Sequence, residues 1–337
     1  MCRPTNHSDR RGGLPLRSYG LIFAAALLLP LTQTSAGAQD SYPSKTIRIV
    51  VPYPPGAVTD SVTRPIAAEL SKRLAQPVIV ENKPGGGTLV GTQAVKYSPP
   101  DGYTLLFQAD SLVTNLYTIK QPNYKLSDFK PVGMISGGAY VMVTSTSHPF
   151  RNLQDLIGYG REHPGELNYA STGPGSPASI IAAELGLAAK LEWTKIPFKG
   201  GAEATQAVMS RDVHAFVASQ GAPLIHSGSD KMRMVAISSK KRSELLPDVP
   251  TFSELGYPTV VLESWNAFFV RSDTPEPIAA KLRATLEEIM ASSAIKQQLK
   301  FMKLPPYEGT VDELPAKMEK QLVDFVEDAR RLGIEPQ

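Results

Sequence analysis

The chain has 337 residues, with 35 Lys and Arg against 32 Asp and Glu and a single cysteine. That length exceeds one ordinary domain and can bury a sizeable core without disulfides. Arg3, Arg10, Arg11 and Arg17, against Asp9 alone, carry the whole excess of +3; beyond residue 38 the formal charge is zero, so no nucleic-acid or membrane-surface partner is implied.

In chain order, Arg10, Arg11 and Arg17 precede the apolar run Leu21 to Leu31, which is followed by Ser35, Ala36, Gly37 and Ala38. This is the pattern of a secretory signal peptide with an A-x-A cleavage site, so the mature chain is expected to start at Gln39 and to work outside the cytoplasm. The apolar run is short for a bilayer span, and Pro30 interrupts it. Cys2 lies before the run, where it cannot serve as a lipoprotein cysteine. Its loss with the leader leaves neither disulfide nor thiol chemistry.

Thr46 to Asp60 (TIRIVVPYPPGAVTD) reads as a buried strand entering a Pro/Gly loop and then a helix. Thr59, Asp60 and Ser61 are helix N-cap types, and Pro65 predicts a late start or a loosened first turn. Free amides at such a junction suit a carboxylate or phosphate. Further alternation predicts a first α/β series: a helix near Ser61 to Leu74, strand Val78 to Glu81, a helix near Leu89 to Lys96 and strand Thr104 to Gln108. A second series follows: strand Tyr140 to Thr144, helix Leu153 to Glu162, strand Leu167 to Ala170, helix Ala178 to Leu187, strand Trp193 to Phe198, helix Ala202 to Met209, and strands Val213 to Ala218 and Met232 to Ser238. Strand Leu262 to Val270, helix Glu276 to Met290 and helix Val311 to Leu332 complete the chain. Two parallel-sheet lobes with a cleft beyond their strand ends fit this order.

Four strand-to-helix loops carry small and polar residues: Tyr53 to Asp60, Ala109 to Asn115, Tyr169 to Pro177 and Phe198 to Ala202. Each aims free N–H groups at one crevice in this reading. The third also satisfies G-x-G-x-x-A through Gly173, Gly175 and Ala178, which raises the alternative of an exported nucleotide-dependent oxidoreductase. Pro174 and Pro177 remove amides that a pyrophosphate would use, and Glu192 falls at the start of its strand. No G-x-S-x-G, Walker lysine or H-E-x-x-H occurs. His148, His163, His214 and His226 are dispersed without ligand spacing and read as surface or loop residues. No cofactor, no metal and no catalytic constellation are expected.

The segments YPSKTIRIVVPYPPGAVTD, QPVIVENKPGGG, PPDGYTLLF, LNYASTGPGSP, IPFKGGAEA, LPDVPTFSELGYP and ESWNAFFV occur in order along the chain. In this collinear series the chain resembles the periplasmic solute-binding proteins of tripartite tricarboxylate transporters, the Bug or TctC-like family. The resemblance implies a two-lobed type II periplasmic binding protein fold, α/β, with the ligand cleft between lobes. Residues 1–38 would be the leader, 39–140 and 263–337 one lobe, and 141–262 the other. It further implies a monomer that captures a small carboxylate for membrane transporter subunits or a sensor ectodomain. Ligand contacts would come from Tyr53, Pro55, Gly56, Ala57 and Asp60, from Ser111 and Thr114, from Ser171, Thr172 and Ser176, from Lys199, Gly200 and Gly201, and from Ser219 and Gln220. The family's usual second glycine is Ala57 here. Leu112 and Val113 replace smaller residues, and with Tyr53 they suggest room for an aromatic carboxylate.

Overall fold

The computed structural model describes residues 42–173, 176–221, 230–307 and 309–336. The expected leader, together with Pro174, Gly175 and His226, lies outside the described residues. Strand β1 (Ile47–Val51) is buried except at Arg48 and is flanked in parallel by β2 (Val78–Asn82) and β3 (Thr104–Ala109). Helices α1 (Val58–Leu74) and α2 (Leu89–Lys96) make the two crossovers, as parallel neighbours require. α3 (Ser111–Thr118) follows β3.

Strand β4 (Phe129–Ser145) organises the rest. Its 17 residues span about 55 Å at the usual strand rise. The first part, Phe129 to Ala139, pairs antiparallel with β9 (Glu263–Arg271), while Tyr140 onward pairs with β7 (Ala215–Ser219) and, from Val141, with β8 (Met232–Ile237). The order β2-β1-β3-β9-β4-β7-β5-β6 is therefore one continuous path, with β5 (Asn168–Ser171) and β6 (Thr194–Pro197) parallel at its far end. This corrects the expectation of purely parallel sheets, because β4 and β9 run antiparallel to their neighbours. It also corrects the start of the fourth strand, which the sequence places at Tyr140. Pro131 and the glycines at 133, 137 and 138 hide the earlier part, and the ladder absorbs them with register shifts at Pro131/Gly133 and Met134/Ser136. At Gly133 a Cβ would lie 2.8 Å from Leu286 Cδ1, so any larger residue would have to displace that side chain.

Alternation along the strands builds two layers on the first sheet. Ile47, Ile49, Leu105, Phe107 and Phe268 face α1 and the helices α7 (Glu276–Ala291) and α8 (Ser293–Phe301). Val50, Leu106, Trp265 and Phe269 face the other way, toward α3 and α9 (Leu314–Arg331). A separate core, with Val141, Val143, Ala170, Leu185, Phe216 and Ile237, sits among α4 (Leu153–Glu162), α5 (Pro177–Ala189) and α6 (Gly201–Ser210). Helix α1 starts at Val58 and runs unbroken through Pro65, which rules out the late start that was one of the two expectations. Its buried stripe of Val62, Ile66, Leu70 and Leu74 spans both sides of the proline, and that packing offsets the lost backbone bond.

Three of the four dispersed histidines come together. His148 stacks on His214 with ring centroids 4.9 Å apart and on Phe150 at 5.2 Å, while Tyr159 stacks on His163 at 4.2 Å. The three histidines lie in loops, as expected, but they are half-buried members of one aromatic column, which corrects the reading of them as dispersed. Among the described residues no group of three or more His, Cys, Asp or Glu side chains is arranged to hold a metal ion. Burial, and then the His214 and Arg211 charges, push the His148 imidazole below its ordinary value; burial does the same to His214, against the opposing pull of Glu166. A depressed folded value means that the unfolded chain takes up the proton first. The column's contribution is thus complete above about pH 6.5 and is lost as the pH falls toward the lower folded values. His148→Phe keeps a ring in the stack and removes one titrating group, so its melting temperature will drop less than that of the wild type between pH 7 and pH 5. Parallel curves in a thermal melt would count against this account.

Candidate functional site

The loop after β1 leaves Pro54, Pro55 and Gly56 exposed. Gly56 has φ +81°, a conformation that favours glycine, and Ala57 N–H donates back to Pro54 O at 3.2 Å to close the turn. The helix cap is Ala57, with φ −62° and ψ 158°, and not one of the polar residues Thr59 to Ser61. Asp60 instead occupies the third helical position and is buried. Its carboxylate accepts from Gly56 N–H at 2.9 Å, from Asn82 Nδ2 at 2.9 Å and from the Arg64 guanidinium at 2.8 Å. Burial alone would raise this carboxyl, but donation by Arg64, Gly56 and Asn82 outweighs it and holds the pKa below the usual value.

Gly56 N–H is therefore engaged inside the protein. Among the described residues, the N–H groups of Val58, Thr59 and Asp60 have no protein acceptor, and Thr59 Oγ1 is buried without a partner.

In the second loop, the Tyr53 hydroxyl lies 2.7 Å from both Gln108 Oε1 and Ser111 Oγ. Helix α3 begins at Ser111 itself, so the segment Ser111 to Asn115 is helical and not loop. Thr114 is fully buried with an unpartnered hydroxyl. Leu112 and Val113, both without exposed surface, belong to the core under α9. The expected room for an aromatic carboxylate finds no support, because both side chains are fully buried in that core. Sequence reasoning passed over Asp110, the cap residue of α3, which is 1% exposed and accepts the Tyr140 hydroxyl at 2.6 Å. Burial, opposed by that hydroxyl and by the N–H groups of Ser111 and of Asp110 itself, pushes its carboxyl up to about 7.

On the other core, Ser171 is buried, and Ser179 Oγ links three groups of its loop: Ser171 Oγ at 2.6 Å, Ser176 Oγ at 2.8 Å and Gly173 O at 2.8 Å. Ser176 caps α5, and Thr172 is half-buried beside this network. Ser179 was missed, although the S-x-x-S spacing from Ser176 is that of a cap and its third helical residue. The Lys199 side chain is exposed, Gly200 is the cap of α6, and Gly201 is its exposed first residue. Ser219 pairs with Tyr140 in the β7–β4 ladder. Gln220 donates from Nε2 to Ser243 Oγ at 2.7 Å and leaves Oε1 buried without a partner.

The caps share one device. In α1, α4 and α6, the N–H just before the cap donates to a carboxylate four residues on: Gly56 to Asp60 (2.9 Å), Arg151 to Asp155 (2.7 Å) and Lys199 to Glu203 (2.9 Å). α4 then closes its first turn through Asn152, whose Oδ1 accepts from Asp155 N–H at 2.9 Å. α1 and α6 have Ala57 and Gly200 at that position, with no side-chain acceptor. Their first-turn amides, at the positive ends of the helix dipoles, remain available to an anion. Surface cavities of about 480 and 720 Å3 flank α9; none of the residues predicted as ligand contacts lines them, although Ser179 lines the second.

A mixed sheet threaded by one long strand, with two cores and uncapped helix starts at the strand ends, defines the class of two-lobed solute-binding proteins. The family model described as "Tripartite tricarboxylate transporter family receptor" matches residues 62–325. BugT of Bordetella pertussis is 34% identical over 277 residues, which cover 81% of this chain and 85% of that protein. Among solved structures, the periplasmic binding protein BugD superposes with TM-score 0.81 at 27% identity, covering 88% of this chain and all of BugD. R. palustris Rpa4515 with adipate gives TM-score 0.82 at 27% identity, also covering 88% of this chain and 100% of that one. MatC from Rhodopseudomonas palustris with bound malate gives 0.79 at 26% identity, covering 85% of this chain and 99% of that one. The chain belongs to the tripartite tricarboxylate transporter receptor family.

Proposed function

We propose that this protein captures a small organic carboxylate, of the class of malate or adipate, in a cleft between lobes formed by 39–140 with 263–337 and by 141–262. The observation that carries this reading is that α1 and α6 follow two of the candidate loops, bind the amide before the cap to an acidic side chain, and have no side-chain cap, a lack that α2, α3, α7 and α9 share. Ala57 and Gly200 leave first-turn amides open where α4, whose loop is not among the candidate segments, is sealed by Asn152. The ligand bound in two of the similar structures, adipate in one and malate in the other, supports the same class. Hydroxyls of Tyr53, Ser111, Thr172 and Ser176 complete a polar lining, and lobe closure supplies the remaining contacts.

In this reading residues 1–38 direct export and are removed, the mature monomer works in the periplasm, and its partners are transporter membrane subunits or a sensor ectodomain. It performs no reaction and needs no cofactor, and the comparisons give no support to a dinucleotide enzyme. Among the described residues, no helix is long and apolar enough to cross a membrane. A thermal-shift panel of malate, adipate, citrate, benzoate and NAD tests the reading. The expected result is a rise of several degrees with at least one aliphatic carboxylate and none with NAD; a shift with NAD alone would overturn it.

A further inference from the structure

The carboxyl of Asp110 is buried, and its surroundings are unlike those of the other two buried acids among the described residues. Asp60 is neutralised by Arg64 at 2.8 Å and Glu184 is paired with Arg331. Among the described residues, Asp110 forms no ion pair.

Among the described residues, its hydrogen-bonding neighbours are neutral. Tyr140 of β4 donates its hydroxyl to it, and Tyr53 of the β1 loop lies within electrostatic reach; both phenols are pushed above their ordinary value, chiefly by burial, so neither carries charge near neutrality. On its own helix, Ser111 follows it and bonds the Tyr53 hydroxyl at 2.7 Å. Gln108, one residue before the loop, spends its amide on Thr88 and Thr92, both uncharged. Tyr140 is the residue at which β4 exchanges β9 for β7, and Gln220 N–H donates to the adjacent Ala139 O at 3.0 Å. Asp110 is thus bonded to the strand that passes between the cores, while Tyr53 of the β1 loop is held beside it by Gln108 and Ser111.

We propose that Asp110 is a proton-linked specificity residue, which binds a proton when the cleft takes up a carboxylate dianion and so ties anion capture to pH. Two like charges sharing a poorly hydrated site disfavour double ionisation, and the group with the pKa nearer neutrality takes the proton. The inference rests on the carboxylate reading above. With a carboxyl already raised to about 7, linkage makes binding strongest when Asp110 is protonated and weaker as it ionises, by up to about tenfold for each pH unit above its folded value.

Isothermal titration of the mature protein with malate and adipate, dianions throughout pH 6 to 8, tests this in buffers of differing ionisation enthalpy. Wild type should take up close to one proton per ligand at pH 8 and bind about tenfold more weakly there than at pH 6. Asp110→Asn should bind without proton uptake and with a flat pH profile. Tyr140→Phe removes a bond that favours the ionised form, so the midpoint of the wild-type pH profile should move upward. Proton uptake that persists in Asp110→Asn, or wild-type affinity that does not change with pH, would overturn the assignment while leaving carboxylate capture intact. Absence of binding by malate, adipate or citrate at every pH would defeat the function reading itself. The buffer-dependence measurement on wild type decides the matter even if a variant fails to fold.

Discussion

Replacing Ala57 by Asp will abolish carboxylate capture while making the ligand-free protein more stable. Ala57 is the cap of α1 in an extended conformation that any residue adopts, so the new side chain fits without backbone change. Its carboxylate would accept from the free amides of the first turn and supply the charge that the helix dipole favours, adding about 1 kcal/mol of stability. A ligand would then forfeit two charge-assisted hydrogen bonds, about 1.5 to 3 kcal/mol each, which corresponds to at least a 100-fold loss of affinity. Ala57→Ser should fall between, with a smaller stability gain and about tenfold weaker binding. Thermal melts and titration with malate or adipate measure both quantities. Undiminished binding by Ala57→Asp would mean that these amides do not touch the ligand.

Removing the Asp60 carboxylate acts in the opposite direction on stability and in the same direction on binding. Asp60→Ala strips the acceptor from Gly56 N–H, Asn82 and Arg64 together. Because Arg64 is half exposed, its charge recovers water and the pair counts for little. The two neutral donors and the freed loop dominate, for an expected loss of about 2 kcal/mol in denaturant unfolding. The Tyr53 to Gly56 segment then loses its tether, and malate binding should weaken by about tenfold or more. The wild-type contribution has its own pH window. Asp60 has a folded pKa below its unfolded value, so its stabilisation is present above the unfolded value near 4 and disappears as pH falls through the folded one. Equal stability of the two proteins at pH 7 would contradict this role.

The α/β class was legible because buried strands and helices differ in period and punctuation. α2 and α4 begin and end where the sequence predicts, bracketed by the KPGGG turn and by Asn152. Part of what escaped detection has one physical cause: glycine, alanine and proline do not announce what they do. Ala57 is not a preferred cap residue, so the polar trio after it drew the predicted helix start three residues too late. Glycines 133, 137 and 138 read as loop, yet their missing side chains let α7 and the 305–307 segment approach the strand. The four strand-to-helix junctions were visible, but their internal commitments were not. Only coordinates reveal that Gly56 N–H is spent on Asp60, or that Leu112 and Val113 turn into the core. Pairs distant in sequence, Asp110 with Tyr140 and His148 with His214, leave no local pattern, since tertiary folding alone brings them together.

The central claim is that the open first turn of α1 holds a ligand carboxylate. A crystal structure of the mature protein with malate or adipate tests it most directly. The account predicts a carboxylate oxygen within about 3.2 Å of the N–H groups of Val58, Thr59 or Asp60, or joined to them through a single water. A ligand seated elsewhere, with those amides still free, would contradict it.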